Sequence, residues 1–248
     1  MKVIFHEDFC KVYTSDPASE EGRIESVMEI ISGRVDLVIA QKASLKDIEA
    51  VHTPAHIERV KTMGLHEIAS LAAGGAVQAA QAGMKEPSFA LIRPPGHHAS
   101  SDSAWGFCFY SNMAIAIEHL KSSGVIRKAH VLDIDLHYGD GTVNILGKKD
   151  YVTLHNPASH DSVSYLKEVD AELSRVDADI IGISAGFDNH EQDWGGLLST
   201  DDYLMIGRLV RENAKRIGAG YFAILEGGYN HNVLGHNAWA LMQGMEGK

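Results

Sequence analysis

The sequence predicts an α/β fold: one domain over residues 1–248, with a mostly parallel multi-stranded sheet and helices on both faces. Three observations carry this. Short apolar, β-branched runs alternate with longer segments of helical period along the chain, the pattern of strands joined by crossover helices. Runs such as "DIIGIS" at Asp179–Ser184 are nearly continuous in apolar residues, as expected for strands buried on both faces of a parallel sheet. No repeat, low-complexity tract or Pro/Ser-rich linker divides the 248 residues, a length ordinary for one α/β domain and sufficient to bury a core without disulfide or zinc staples.

Taken in order, strands are predicted at Lys2–Phe5, Leu37–Ala40, Phe89–Arg93, Ala129–Asp135, Tyr151–His155, Asp179–Ser184 and Tyr221–Leu225. Helices are predicted at Glu20–Ser32, Glu67–Gly83, Asn112–Ser123, Val163–Val176, Thr200–Ile217 and Asn232–Gln243. The fifth helix has the clearest start: in "STDDYLMIGRLV" a Ser/Thr cap precedes acids in the first turn and then apolar spacing.

Composition narrows the function. A formal net charge of −11 argues against a nucleic-acid partner, because phosphate binding relies on Lys and Arg to displace counterions; it suits a cationic substrate. Cys10 and Cys108 are the only cysteines, with no CxxC, so a cytoplasmic setting is expected. "MKVIFHEDFC" meets His6, Glu7 and Asp8 after too short an apolar run for a signal peptide. No segment approaches the roughly 18 apolar residues of a membrane span, so a soluble protein without a membrane partner is expected.

In open α/β sheets, ligands bind beyond the carboxyl ends of the strands. Four predicted strands run into "PPGHHA", "LHYGDG", "AGFDNH" and "EGGYN", delivering ionisable or glycine-rich loops to one edge. In "VLDIDLHYGDG", Asp133, Asp135 and His137 alternate, so an extended chain would turn all three to one side. Carboxylates at the end of a buried strand call for a compensating cation. Read alone, the stretch fits a solvated strand end and an ordinary Gly-Asp-Gly turn equally well. Asp188 adds a carboxylate at the same edge. One imidazole and two carboxylates form a ligand set for a divalent metal with an open position, zinc or equally Fe2+ or Co2+. Most of the 14 histidines are bystanders: His52, His56, His66, His119 and His236 read as solvated or capping. Asp193, Asp201 and Asp202 read as helix caps.

With these residues in view, the chain resembles the histone deacetylase and acetylpolyamine amidohydrolase family. "VHTPAHIERV", "RPPGHHA", "WGFCFYSNMAIA", "DIDLHYGDGT", "GFDNH" and "LEGGYN" follow the family's order from about Val51 to Asn230. The resemblance implies an arginase/deacetylase-type fold and hydrolysis of an N-acetyl amide by a metal-activated water. It implies Asp135, His137 and Asp188 as zinc ligands, His97 and His98 as tandem catalytic histidines, and Tyr229 as the carbonyl-polarising hydroxyl. Asp133 and Asp140 would stand behind His97 and His98. Gly106, Phe107 and Gly228 would contact substrate, an acetylated lysine or polyamine. A structural potassium would sit among Asp133, Asp135, His137, Thr153 and Leu154, offsetting crowded carboxylates.

The residues themselves agree with that chemistry. An attacking water must lose a proton and the departing amine must gain one. Adjacent histidines with different carboxylate partners can hold different protonation states; His98 is the expected general base and acid, with His97 mainly electrostatic. The sequence also departs from the family. Tyr138 replaces a second histidine usual in "DxDxHHG", "LHNPASHDSV" lacks the usual "YPGTG", and Thr62–Ala72 is short for a rim loop. These departures predict a wide, sparsely lined mouth. "EGGY" rather than "GGGY" leans toward the class II and acetylpolyamine-type branches. Two rivals remain: a binuclear arginase-like ureohydrolase, which needs more metal carboxylates, and an inactive acyl-group binding module.

Overall fold

The computed structural model describes residues 1–248. Seven parallel strands form one sheet: β1 (Lys2–Phe5), β2 (Asp36–Ile39), β3 (Ser88–Ala90), β4 (Ala129–Asp133), β5 (Val152–His155), β6 (Ile180–Ala185) and β7 (Gly220–Leu225), in the spatial order β2-β1-β3-β7-β6-β4-β5. The central strands β3, β4 and β6 are buried at every residue, whereas the edge strand β2 is mostly exposed. That is the burial expected where helices cover both faces.

The helices are α1 (Arg23–Ile31), α2 (Leu45–Glu49), α3 (Pro54–Thr62), α4 (His66–Gly83), α5 (Asn112–Ser122), α6 (Asp140–Leu146), α7 (Ser162–Leu173), α8 (Thr200–Ile217) and α9 (His231–Glu246). α4 packs on β1, β3 and β7 and against α5, while α8 packs on β6 and β7 and against α7 and α9, which also meets α1. α8 starts in a capping box: Ser199 accepts the Asp202 N–H and Asp202 accepts the Ser199 N–H, which satisfies two donors that would otherwise be orphaned. No helix is long and apolar enough to cross a membrane.

All seven predicted strands and six predicted helices are present, with shifted ends. β4 stops at Asp133 rather than Asp135, because Asp133 Oδ1 accepts the Asp135 N–H at 3.2 Å and turns the chain out of the ladder. α1 starts later than predicted, behind a short 3-10 turn at Pro17–Ser19 and a left-handed Gly22. α2, α3 and α6 were not anticipated, although Ser44 and Thr53-Pro54 are readable N-terminal signals for the first two. The Thr62–Ala72 segment is not a rim loop: it is the end of α3, a turn at Met63–Leu65 and the first turns of α4.

His52 and His56 are buried rather than solvated. Their rings stack at 4.9 Å; His52 Nε2 accepts the Ser111 N–H at 2.9 Å and His56 Nε2 pairs with the Phe109 carbonyl at 2.7 Å. Burial pushes both imidazoles down, His52 to about 3, so they act as neutral braces for the Phe109–Ser111 segment that leads into α5.

Candidate active site

The four loops singled out in the sequence leave β3, β7, β6 and β4, which are consecutive neighbours at the centre of the sheet. Their carboxyl ends therefore bring His97, His98, Tyr229, Asp188, Asp135 and His137 to one place.

Ligand atoms of Asp135, His137 and Asp188 lie within 4.8 Å of one another. Main-chain donors aim each carboxylate: His137 N–H reaches Asp135 Oδ1 at 2.9 Å, Gly227 N–H reaches Asp135 Oδ2 at 2.8 Å, and Leu136 N–H reaches Asp188 Oδ1 at 3.0 Å. The fourth oxygen, Asp188 Oδ2, is buried and makes no hydrogen bond, although His137 Nδ1 stands 3.0 Å away, out of line. Burial and the Asp135 charge push the Asp188 carboxyl up. The two carboxylates hold the His137 imidazolium, raising it to about 10. An orphaned oxygen facing an imidazole and a second buried carboxylate fits a divalent cation.

Asp133 is not part of this group. Because the chain turns at residue 134, strand alternation fails there, and Asp133 Oδ2 instead meets His97 Nδ1 at 3.2 Å. Asp140 Oδ1, at the start of α6, meets His98 Nδ1 at 2.7 Å. The two imidazoles lie 4.0 Å apart between ring centroids, yet their environments separate them. Burial opposes charge on His97, but Asp135 and Asp133 outweigh it and hold this ring as imidazolium. Burial and the neighbouring His97 charge lower His98 to about 4, against the pull of Asp140.

Trp105, unassigned in the sequence, completes the second pair. Its indole N–H donates to Asp140 Oδ2 at 2.9 Å and its ring stacks on His98 at 3.8 Å. Burial works against the Asp140 anion, but Trp105 and His98 hold it below the usual carboxylate range.

Tyr229 is fixed through its main chain and ring. Asp193 Oδ2 accepts both the Tyr229 and Asn230 N–H groups at 2.8 Å, so Asp193 anchors this loop rather than capping a helix. Trp194 stacks on the Tyr229 ring at 4.0 Å, Phe107 meets it edge-on, and the buried Arg23 guanidinium lies 5.4 Å over it. The Tyr229 hydroxyl has no protein partner, and burial pushes it far up.

His97, His98, His137, Gly106, Phe107, Trp105, Trp194 and Tyr229 line a cavity of about 110 Å³. Gly106 is there by necessity: at φ +58 a Cβ would lie 2.3 Å from His98 Cδ2. Phe107 is left-handed at φ +66, a conformation that a bulky side chain takes only when its surroundings enforce it. Gly228 lies behind the pocket, buried, with its carbonyl on Arg23 Nε at 2.7 Å. The mouth is not bare: Trp105 and Trp194 are 55% and 53% exposed at its edge. Across His137, however, a groove of about 410 Å³ opens beside Tyr138 and Asn156–His160, where the sequence lacks "YPGTG".

The residues expected around a potassium ion already have protein partners. Asp133 serves Asp135 and His97, and the Thr153 hydroxyl lies 2.8 Å from His130 Nδ1. Leu154 is a half-buried residue of β5.

Known proteins give the constellation its context. A family model described as "Histone deacetylase domain" matches residues 18–165 and 154–245. A probable deacetylase of Archaeoglobus fulgidus is 30% identical over 92% of this chain and 81% of its own length. A histone deacetylase-like amidohydrolase of Pseudomonas aeruginosa is 28% identical over 91% of this chain and 75% of its own. The crystal structure of an HDA15 HD domain superposes with a TM-score of 0.87 over 99% of this chain and 89% of that one, at 23% identity, which speaks to the fold. With nearly the whole chain matched by the family model, and the fold shared as well, this protein belongs to the histone deacetylase family and is an amide hydrolase.

Proposed function

We propose that the chain is a zinc-dependent deacetylase that removes acetyl or another short acyl group from an amine, such as acetyl-lysine or an acetylated polyamine. One observation supports this most directly: the Asp135–His137–Asp188 group lies beside two histidines whose surroundings favour opposite charge states. Asp135, His137 and Asp188 would hold the ion, Fe2+ and Co2+ accepting the same donors; bound there, it would supply Lewis acidity to the amide carbonyl and the attacking water.

The remaining steps belong to the chain. His98, neutral at pH 7, takes the proton of the attacking water and returns one to the leaving amine, with Asp140 orienting it through Nδ1. His97 contributes fixed positive charge as the carbonyl oxygen becomes anionic, and the Tyr229 hydroxyl donates to that oxygen. Gly106, Phe107 and Trp194 close around the acyl end. The cavity of about 110 Å³ is small against the roughly 300–1,000 Å³ of drug-sized ligand pockets, which favours a short acyl group. A potassium ion beside Asp133 would draw on Asp135, His137, Thr153 and Leu154, and would compete with His130 for the Thr153 hydroxyl.

The test is turnover by metal-loaded protein on acetyl-lysine amides and acetylated polyamines. Hydrolysis with one catalytic ion per chain is expected. No hydrolysis of any acylated amine would leave a binding module, and two catalytic ions would favour a ureohydrolase.

Two narrower outcomes follow. Because His137 is held to about 10 in the metal-free chain, it is protonated at pH 7 and must deprotonate to ligate. Metal uptake should release about one proton per ion from it, and affinity should rise with pH; calorimetry in buffers of different ionisation enthalpy measures both. Trp105→Phe should keep the stack on His98 and lose the bond to Asp140. One such bond to a charged group contributes roughly 1.5 kcal/mol or more, so kcat should fall about tenfold with KM little changed.

A further inference from the structure

One buried carboxyl has no role in that scheme. Glu226 ends β7, fully buried, three residues before Tyr229. Its Oε2 accepts the Gly96 N–H at 2.7 Å and the His97 N–H at 3.2 Å. Its main chain is equally committed: the Glu226 N–H donates to the Ala185 carbonyl at 3.0 Å, and its own carbonyl takes the Arg23 Nη2 donor at 2.6 Å. Thus one residue ties the strand that delivers Tyr229 to the turn that delivers His97. Its other oxygen, Oε1, is buried with no partner, and Glu226, His97 and Cys108 place ligating atoms within 4.8 Å of one another. A buried carboxyl with half its capacity unmet lowers stability. An apolar side chain in its place would leave the Gly96 and His97 N–H groups unpaired. Ionised or protonated, Oε2 still accepts both bonds, so the link persists across neutral pH.

We propose that Glu226 is a positioning residue, which sets the place of His97 relative to Tyr229 by holding the His97 main chain. The inference rests on the reading of His97 and Tyr229 as groups that act on the amide. Reacting groups tolerate errors of only about half an ångström, and a 1 Å misplacement can lower the rate about 100-fold. Aspartate keeps the carboxyl but is one methylene too short to reach both N–H groups. Glutamine keeps the reach and one oxygen.

The test compares wild type, Glu226→Asp and Glu226→Gln, each metal-loaded, on an acetyl-lysine amide, alongside ring-15N histidine spectra of the metal-free proteins. Glu226→Asp should lose roughly 10–100-fold in kcat with KM and hydroxamate affinity within about twofold, and its His97 ring resonances should move. Glu226→Gln should retain most of kcat and the wild-type His97 resonances. Unchanged kcat and unchanged His97 resonances in Glu226→Asp would overturn the proposal. So would a loss in Glu226→Gln as deep as in Glu226→Asp, or a loss confined to KM. If Glu226→Asp does not fold, amide exchange in the wild type decides: protected Gly96 and His97 amides support the link, and freely exchanging ones refute it. If the wild type itself hydrolyses no acylated amine, the reading of the site fails, while the His97 resonances still decide the Glu226 contact.

Discussion

Tyr229→Phe should fold normally, keep its metal and still bind a chelating hydroxamate, yet turn over on the order of 10²–10³ times more slowly. The ring's environment makes this a clean substitution. Trp194, Phe107 and Arg23 contact the aromatic face and edge, and Asp193 holds the main chain. All of these contacts survive in phenylalanine. The hydroxyl has no protein partner to lose, so stability should change by less than the ~1 kcal/mol of a typical hydrogen bond. What disappears is a donor whose bond strengthens as the carbonyl becomes tetrahedral, so the loss belongs in kcat. Near-wild-type kcat with a lowered melting temperature would return Tyr229 to a structural role.

Asp188→Ala should be nearly devoid of stoichiometric metal after dialysis against a weak chelator. Removing a charged ligand should weaken binding by more than the 10–100-fold typical of losing an outer partner. Thermal unfolding gives an independent reading. At a metal concentration 100 times its Kd, the wild type gains about 2.7 kcal/mol, or roughly 5–10 °C for a chain of this size. The variant should show almost none of that shift. Full metal content in Asp188→Ala would refute the ligand assignment.

What could be read from the sequence follows the reach of local rules. Strand runs and the polar loops after them were legible because burial on both faces forces apolar strands, and reactive side chains then stand out at their ends. Alternation placed Asp133 with Asp135 and His137, and that failed because a bond from Asp133 to the Asp135 N–H ends the extended chain. The burial of His52 and His56 was invisible, since a brace and a solvated histidine have the same spacing. Trp105, Asp193 and Glu226 were missed because their partners are distant in sequence: 35 residues for Trp105 and Asp140, 36 for Asp193 and Tyr229, and 129 for Glu226 and His97.

The strand order also governs how the site comes into being. β3, β7, β6 and β4 are neighbours in space, but they span Ser88 to Leu225 in the chain, and β7 is last to be synthesised yet sits between β3 and β6. Insertion of β7 is what brings the tandem-histidine turn up against the metal group. Contacts of such long sequence separation form slowly. A chain stalled before that insertion holds Asp135, His137 and Asp188 without Tyr229 or the Gly227 N–H that steadies Asp135. Catalytic competence therefore arrives in one late step, and truncation ahead of β7 should abolish turnover outright rather than grade it.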